Sequence, residues 1–121
     1  MKKPRILLAD DQEVVLRAVS KLLAPQFEVV GLAQDGMAFL EMAERTKPDA
    51  CVVDISMPGM GGVEASRRLL QQDPQARIVF LTINEDPVYR EAAFALGALG
   101  YVLKGSVAQD LVPTLLSALA G

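Results

Sequence analysis

Four small or β-branched apolar residues in succession, Ala50-Cys51-Val52-Val53, run without a polar break into Asp54, and the chain then turns through Ile55-Ser56-Met57-Pro58-Gly59-Met60-Gly61-Gly62. A strand that alternates polar and apolar residues covers one face of a sheet. One without alternation is buried on both faces, the situation of a parallel sheet clothed by helices on either side. Pro58-Gly59 supplies the central pair of a type II turn, proline fixing φ and glycine accepting a positive φ. Gly61-Gly62 then opens a helical pattern over 62–71. Asp54 is thereby held at the carboxyl end of a buried strand and faces a loop, the place where open α/β sheets bind ligands.

The rest of the chain repeats this unit. Arg5-Ile6-Leu7-Leu8-Ala9 reads as a first strand stopping at Asp10-Asp11, and residues 12–23 follow as an amphipathic helix with Val15, Val19, Leu22 and Leu23 on one side. A second strand over 27–33, a turn at Asp35-Gly36 and a helix over 37–45 come next. A fourth strand over 77–82 ends on Thr82. Asp86-Pro87 marks a helix start, N-cap followed by proline, and the helix runs over 88–96. A fifth strand, Tyr101-Val102-Leu103, ends on Lys104. Ser106 with Gln109 predicts a capping box for a last helix over 107–120, which Pro113 should bend. Five βα units in series predict a parallel sheet with helices on both faces and right-handed crossovers. In a flavodoxin-like (βα)5 sandwich of strand order 2-1-3-4-5, the polar residues ending strands 1, 3, 4 and 5 converge on one crevice.

Length and charge narrow the class. At 121 residues the chain is one domain, 1–121, able to bury roughly two thirds of its unfolded surface. Its net charge is −3, and Lys2-Lys3-Arg5 and Arg67-Arg68 are its only tight basic groups, which is no nucleic-acid footprint. Cys51 stands alone, so no disulfide framework exists, and it reads as a core residue in a reducing, cytoplasmic setting. The apolar run 6–9 is too short for a signal-peptide core, and no run approaches the roughly 20 residues of a membrane span.

Asp10, Asp11 and Asp54 brought together repel, by about 4 kcal/mol per pair at 4 Å and an effective dielectric of 20. Lys104 offsets part of this, and a hard divalent cation with oxygen ligands, such as Mg²⁺, offsets the rest. The chain has no histidine and no cysteine pair, against zinc. A carboxylate beside a cation, a lysine and a hydroxyl is suited to phosphoryl transfer, with the carboxylate as nucleophile.

LLADD at 7–11, VVDISMPGMGG at 52–62, VFLT at 79–82 and GYVLKG at 100–105 together resemble the receiver domain of bacterial two-component response regulators, over essentially the whole chain. The resemblance implies a phospho-acceptor rather than an enzyme, with Asp54 taking a phosphoryl group from a sensor histidine kinase or a phosphotransfer protein. It implies Mg²⁺ held by Asp11, Asp54 and the Ser56 backbone carbonyl, with Asp10 acting through water. Thr82 and Lys104 would contact the phosphoryl oxygens, and Tyr101 would be an aromatic switch responding to Thr82. MPGMGGVEASRRL and TLLSALAG are most similar to the subgroup whose receivers precede a LuxR-type helix-turn-helix. Transcription control through a DNA-binding domain outside this chain is therefore the expected output, and a fragment of such a regulator or a stand-alone receiver the expected origin.

The same residues leave rivals open. Asp11 could be an N-cap, Thr82 an ordinary strand end, Lys104 a surface lysine and Tyr101 a half-buried strand aromatic. A phosphohydrolase of the haloacid dehalogenase type also uses an aspartyl nucleophile, Mg²⁺ and lysine, but normally carries an acid two residues on, where Ser56 stands. A receiver serving only as a scaffold is a third class. Ile83 is bulkier than the small residue common in the family and should narrow access to Asp54. Ser56 and Asn84 stand where short polar residues tune dephosphorylation, and Gly105 replaces the proline common after the lysine. Leu111, Val112, Leu115, Leu116 and Leu119 make a stripe wider than packing on a sheet needs, and with the first helix predict a homodimer contact.

Overall fold

The computed structural model describes residues 2–121. Five strands, β1 (Arg5–Ala9), β2 (Glu28–Ala33), β3 (Ala50–Asp54), β4 (Ile78–Thr82) and β5 (Gly100–Leu103), alternate with five helices. These are α1 (Glu13–Leu23), α2 (Gly36–Thr46), α3 (Gly62–Gln72), α4 (Pro87–Leu96) and α5 (Val107–Ala120). The strands form one parallel sheet in the order β2-β1-β3-β4-β5. This is the flavodoxin-like arrangement, with β1 and β3 adjacent and the chain reversing its direction of travel across the sheet between them.

Alternation along the strands divides the core in two. Ile6, Leu8, Val52, Val79, Leu81 and Val102 pack with Leu16, Val19 and Leu23 of α1 and with Leu111 and Leu115 of α5. Leu7, Ala9, Cys51, Val53, Ile78 and Phe80 point the other way, toward Phe39 of α2, Ala65 and Leu69 of α3 and Ala93 of α4. Both faces of β3 and of β4 are fully buried, as their unalternating sequences require. Cys51 lies in this core at 2 % exposure. The helix α4 is the loosest element, with Ala93 its one buried residue, while Val88, Tyr89 and Phe94 stand exposed.

Several local expectations change. Asp35 and Gly36 do not form a free turn: the Asp35 carboxylate accepts from the Ala38 N–H at 2.8 Å and so caps α2, whose first residue is Gly36. The capping box at Ser106 is absent. Lys104–Ser106 forms a 3₁₀ turn leading directly into α5, which leaves the Ser106 side chain without a capping bond. At α1 the N-cap position is Gln12, which excludes Asp11 from that role. At α4, Asp86 caps the Val88 N–H at 3.0 Å with Pro87 next, as the sequence predicts. The helix α5 continues through Pro113. Gly59 has φ 70°, the value that the Pro58-Gly59 turn demands of its glycine.

Candidate functional site

The carboxyl ends of β1, β3, β4 and β5 bring Asp10, Asp54, Thr82 and Lys104 to one edge of the sheet. Asp10 follows β1 directly, and its backbone N–H bonds to the Ala33 carbonyl at 2.9 Å, extending the pairing one residue past the strand. One oxygen of its carboxylate accepts from the Gln12 N–H at 2.9 Å. The other, Oδ2, lies 2.8 Å from Lys104 Nζ, buried and without an aligned hydrogen bond among the described residues. Lys104 Nζ also reaches Asp54 Oδ2 at 3.3 Å. One ammonium thus bridges two carboxylates that are 2 % and 4 % exposed.

Asp54 Oδ1 accepts from the Ser56 N–H at 3.2 Å, so the loop after β3 returns to the carboxylate that precedes it. That loop is held close by Gly62, whose N–H donates to the Ile55 carbonyl at 2.8 Å. A Cβ at Gly62 would collide with the Asp54 carbonyl oxygen, so only glycine allows this approach. Asp10, Asp11 and Asp54 each place a carboxylate oxygen within 4.8 Å of the others, with Asp11 exposed at the rim.

Burial raises the pKa of Asp54 above the ordinary carboxylate value, and the Asp10 charge adds to this, while Lys104 and the Ser56 N–H oppose it. Burial pulls Lys104 down, but contact with Asp10 and the charge of Asp54 outweigh burial and leave its pKa raised. Each group thus holds more firmly the proton it would otherwise lose. Two of the three acids share one lysine, so the cluster keeps an excess of negative charge that a further cation would offset. The donor set is all oxygen, which suits Mg²⁺ and not zinc.

Thr82 is 3 % exposed and lies one residue beyond Leu81, the partner of Asp54 in the β3–β4 register. Its Oγ1 accepts from the Asn84 N–H at 3.1 Å. Tyr101 pairs with Phe80 across β4–β5, and its hydroxyl donates to the Asn84 carbonyl at 2.9 Å. Asn84 thus joins Thr82 to Tyr101, a link that type and spacing alone do not reveal. Ile83 is 81 % exposed beside them.

A profile of the family described as the response regulator receiver domain matches residues 6–116. The chain belongs to that family. Among known proteins, this receiver is 34 % identical over 119 residues to the response regulator GacA of Pseudomonas aeruginosa, covering 97 % of this chain and 56 % of that one. It is 38 % identical over 112 residues to the transcriptional regulatory protein DegU of Brevibacillus brevis, covering 91 % and 48 %. The receiver therefore spans about half the length of the curated relatives it matches.

Solved structures agree. A two-component response regulator of the LuxR family from Aurantimonas superposes with TM-score 0.94 at 36 % identity, covering 99 % of this chain and 87 % of that one. The signal receiver domain of the response regulator NarL from Mycobacterium tuberculosis superposes with TM-score 0.94 at 28 % identity, covering 100 % and 99 %. Of these relatives, DegU is by name a transcriptional regulatory protein, and GacA and the Aurantimonas protein are by name response regulators. Among the described residues, no helix is long and apolar enough to cross a membrane.

Proposed function

We propose that Asp54 is the phospho-acceptor of this receiver. The observation that carries the reading is the buried Asp54 carboxylate, 3.3 Å from Lys104 and within one cluster with Asp10 and Asp11. A carboxylate oxygen of Asp54 attacks phosphorus as the bond from phosphorus to the donor breaks. The donor is the phosphohistidine of a sensor kinase or of a phosphotransfer protein, and it leaves as imidazole. Lys104, already turned to Asp54, takes up charge on the phosphoryl oxygens, and the Thr82 hydroxyl donates to them. Asp11, Asp54 and the Ser56 carbonyl would hold Mg²⁺, with Asp10 reaching it through water. When bound, that ion supplies positive charge against the carboxylates and the incoming phosphoryl group. At the end of the reaction the chain carries an acyl phosphate, which water hydrolyses to inorganic phosphate and the free Asp54 carboxylate.

The output is a change of population. Thr82 and Lys104 bind the phosphoryl group in one arrangement better than in the other, and that difference moves the equilibrium. Tyr101 follows Thr82, which its hydroxyl approaches directly and to which Asn84 also joins it, and α4, with one buried residue, is the element that yields. In a cytoplasmic protein carrying a DNA-binding domain, this would regulate transcription.

Intact mass after incubation with Mg²⁺ and acetyl phosphate tests the reading, with acetate as the leaving group. Wild type gains one phosphoryl group and loses the gain in EDTA, and Asp54→Asn gains nothing. If wild type stays unmodified while rapid phosphate release is also excluded, the receiver is a scaffold and the proposal fails.

A further inference from the structure

The segment from Thr82 to α4 is a chain of short bonds, each reaching two residues ahead. Thr82 Oγ1 accepts from the Asn84 N–H, Asn84 Oδ1 from the Asp86 N–H at 2.9 Å, and Asp86 Oδ1 from the Val88 N–H. Val88 lies in the first turn of α4. Two residues further along, Arg90 extends over two aromatic rings. Its guanidinium carbon is 5.4 Å from the centroid of Phe94 on the same helix and 6.0 Å from that of Tyr101 on β5.

The acid four residues before Arg90 is Asp86, whose carboxylate is engaged as the α4 cap, and Arg90 forms no ion pair among the described residues. Its charge is thus spent on the rings. The contacts close a circuit: Thr82 to Asn84, Asn84 to Asp86, Asp86 to α4, Arg90 of α4 to Tyr101, and Tyr101 back to the Asn84 carbonyl at 2.9 Å.

We infer that Arg90 is a positioning residue that holds the Tyr101 ring on the Asn84 carbonyl and so ties the orientation of Tyr101 to the placement of α4. This rests on the reading of Thr82 as the group that responds to the phosphoryl, and names a residue through which the response reaches α4. Among the described residues, Arg90 forms no hydrogen bond or ion pair with Asp10, Asp11 or Asp54. Its contribution is a bias on the tyrosine.

A stack of this kind at an exposed site shifts an equilibrium about two- to five-fold. The test uses a Tyr89→Phe background, in which Tyr101 is the one remaining tyrosine, labelled as 3-fluorotyrosine and observed by fluorine NMR without phosphodonor. Arg90→Met keeps the aliphatic stem and loses the charge. It should move the ratio of Asn84-bonded to released Tyr101 about two- to five-fold toward release, while Arg90→Lys, which keeps a cation, restores most of it.

A Tyr101 resonance unchanged in Arg90→Met, or displaced equally in Arg90→Lys, overturns the inference. A merely structural role would lower the melting temperature in both variants without separating them in the spectrum. Acetyl phosphate mass gain on the same samples keeps the two readings apart. Its absence from wild type sinks the acceptor chemistry, whereas the fluorine result depends on no phosphodonor.

Discussion

Glycine at 62 is the residue on which the geometry of Asp54 depends most directly, and replacing it with alanine puts that dependence to measurement. Gly62 begins α3, where alanine by propensity alone would be neutral or slightly stabilising. The added Cβ, however, would fall within the envelope of the Asp54 carbonyl oxygen and 3.0 Å from Val53 Cγ1. Neither neighbour can yield: one is backbone of the central strand β3, and the other is a side chain with no exposure.

Overpacking of this kind costs about 1–3 kcal/mol. With an unfolding entropy of about 2.1 cal/mol/K per residue, that lowers the melting temperature by roughly 4–12 °C in a chain of this size. Two neighbouring substitutions grade the effect. At Gly61 the new Cβ would meet the Ile55 carbonyl oxygen at 3.2 Å, and Gly61→Ala should fall between. At Gly105 nothing lies within 4 Å, and Gly105→Ala should be nearly neutral. Circular dichroism melts give the order, and the rate of acetyl phosphate labelling should fall in Gly62→Ala as Asp54 is displaced. A Gly62→Ala melt within about 2 °C of wild type, a shift below that range, or a Gly105→Ala loss as large, would refute the reasoning.

Three further outcomes follow from particular side chains. Burial, with a smaller contribution from the Asp73 charge, raises the Cys51 thiol from 9.0 to about 12, so a disulfide reagent at pH 8 should label it only in denaturant. Because the folded value is the higher, the stability it contributes is complete below about 9 and is lost as pH rises toward 12, readable as falling denaturant midpoints in alkali. Ile83→Ala should shorten the lifetime of the phosphorylated form several-fold by opening the approach to Asp54, and an unchanged lifetime with an unchanged phosphotransfer rate would remove Ile83 from the account. Leu116 is 47 % exposed on α5 and Val14 79 % exposed on α1, and Leu116→Asp should weaken a homodimer through these helices in sedimentation equilibrium; monomers at every concentration, with and without phosphodonor, would contradict that contact.

Much of this was legible because two periodicities and four strand ends carry it. Unalternating strands require two covered faces, and a polar residue closing strands 1, 3, 4 and 5 places the chemistry at one edge once the order is known. Bonds that depend on distance were not legible. Ser106 and Gln109 have the spacing of a capping box, yet the 3₁₀ turn after Lys104 spends the residues in which the cap would form. Asp35 looked like a turn residue because the turn and the N-cap favour the same short acceptors. The roles of Gly62 and Asn84 come from backbone atoms, which every residue has, so composition cannot announce them. Arg90 left one trace, its place four residues before Phe94 on a helix face. That trace does not extend to Tyr101, which comes from another element.

The sheet also works as a partition. Thr82 follows Phe80 by two residues and shares its side, and Tyr101 sits opposite Phe80 on that side too, facing α4. The other side carries α1 and α5, locked by Leu16, Val19, Leu23, Leu111 and Leu115, all at 3 % exposure or less. A disturbance arriving at the strand ends therefore has a soft exit on one side of the wall and a stiff one on the other. Surfaces built on α1 and α5 can keep a constant shape while those built on α4 are rewritten, so one small domain can offer an invariant address and a variable message at once.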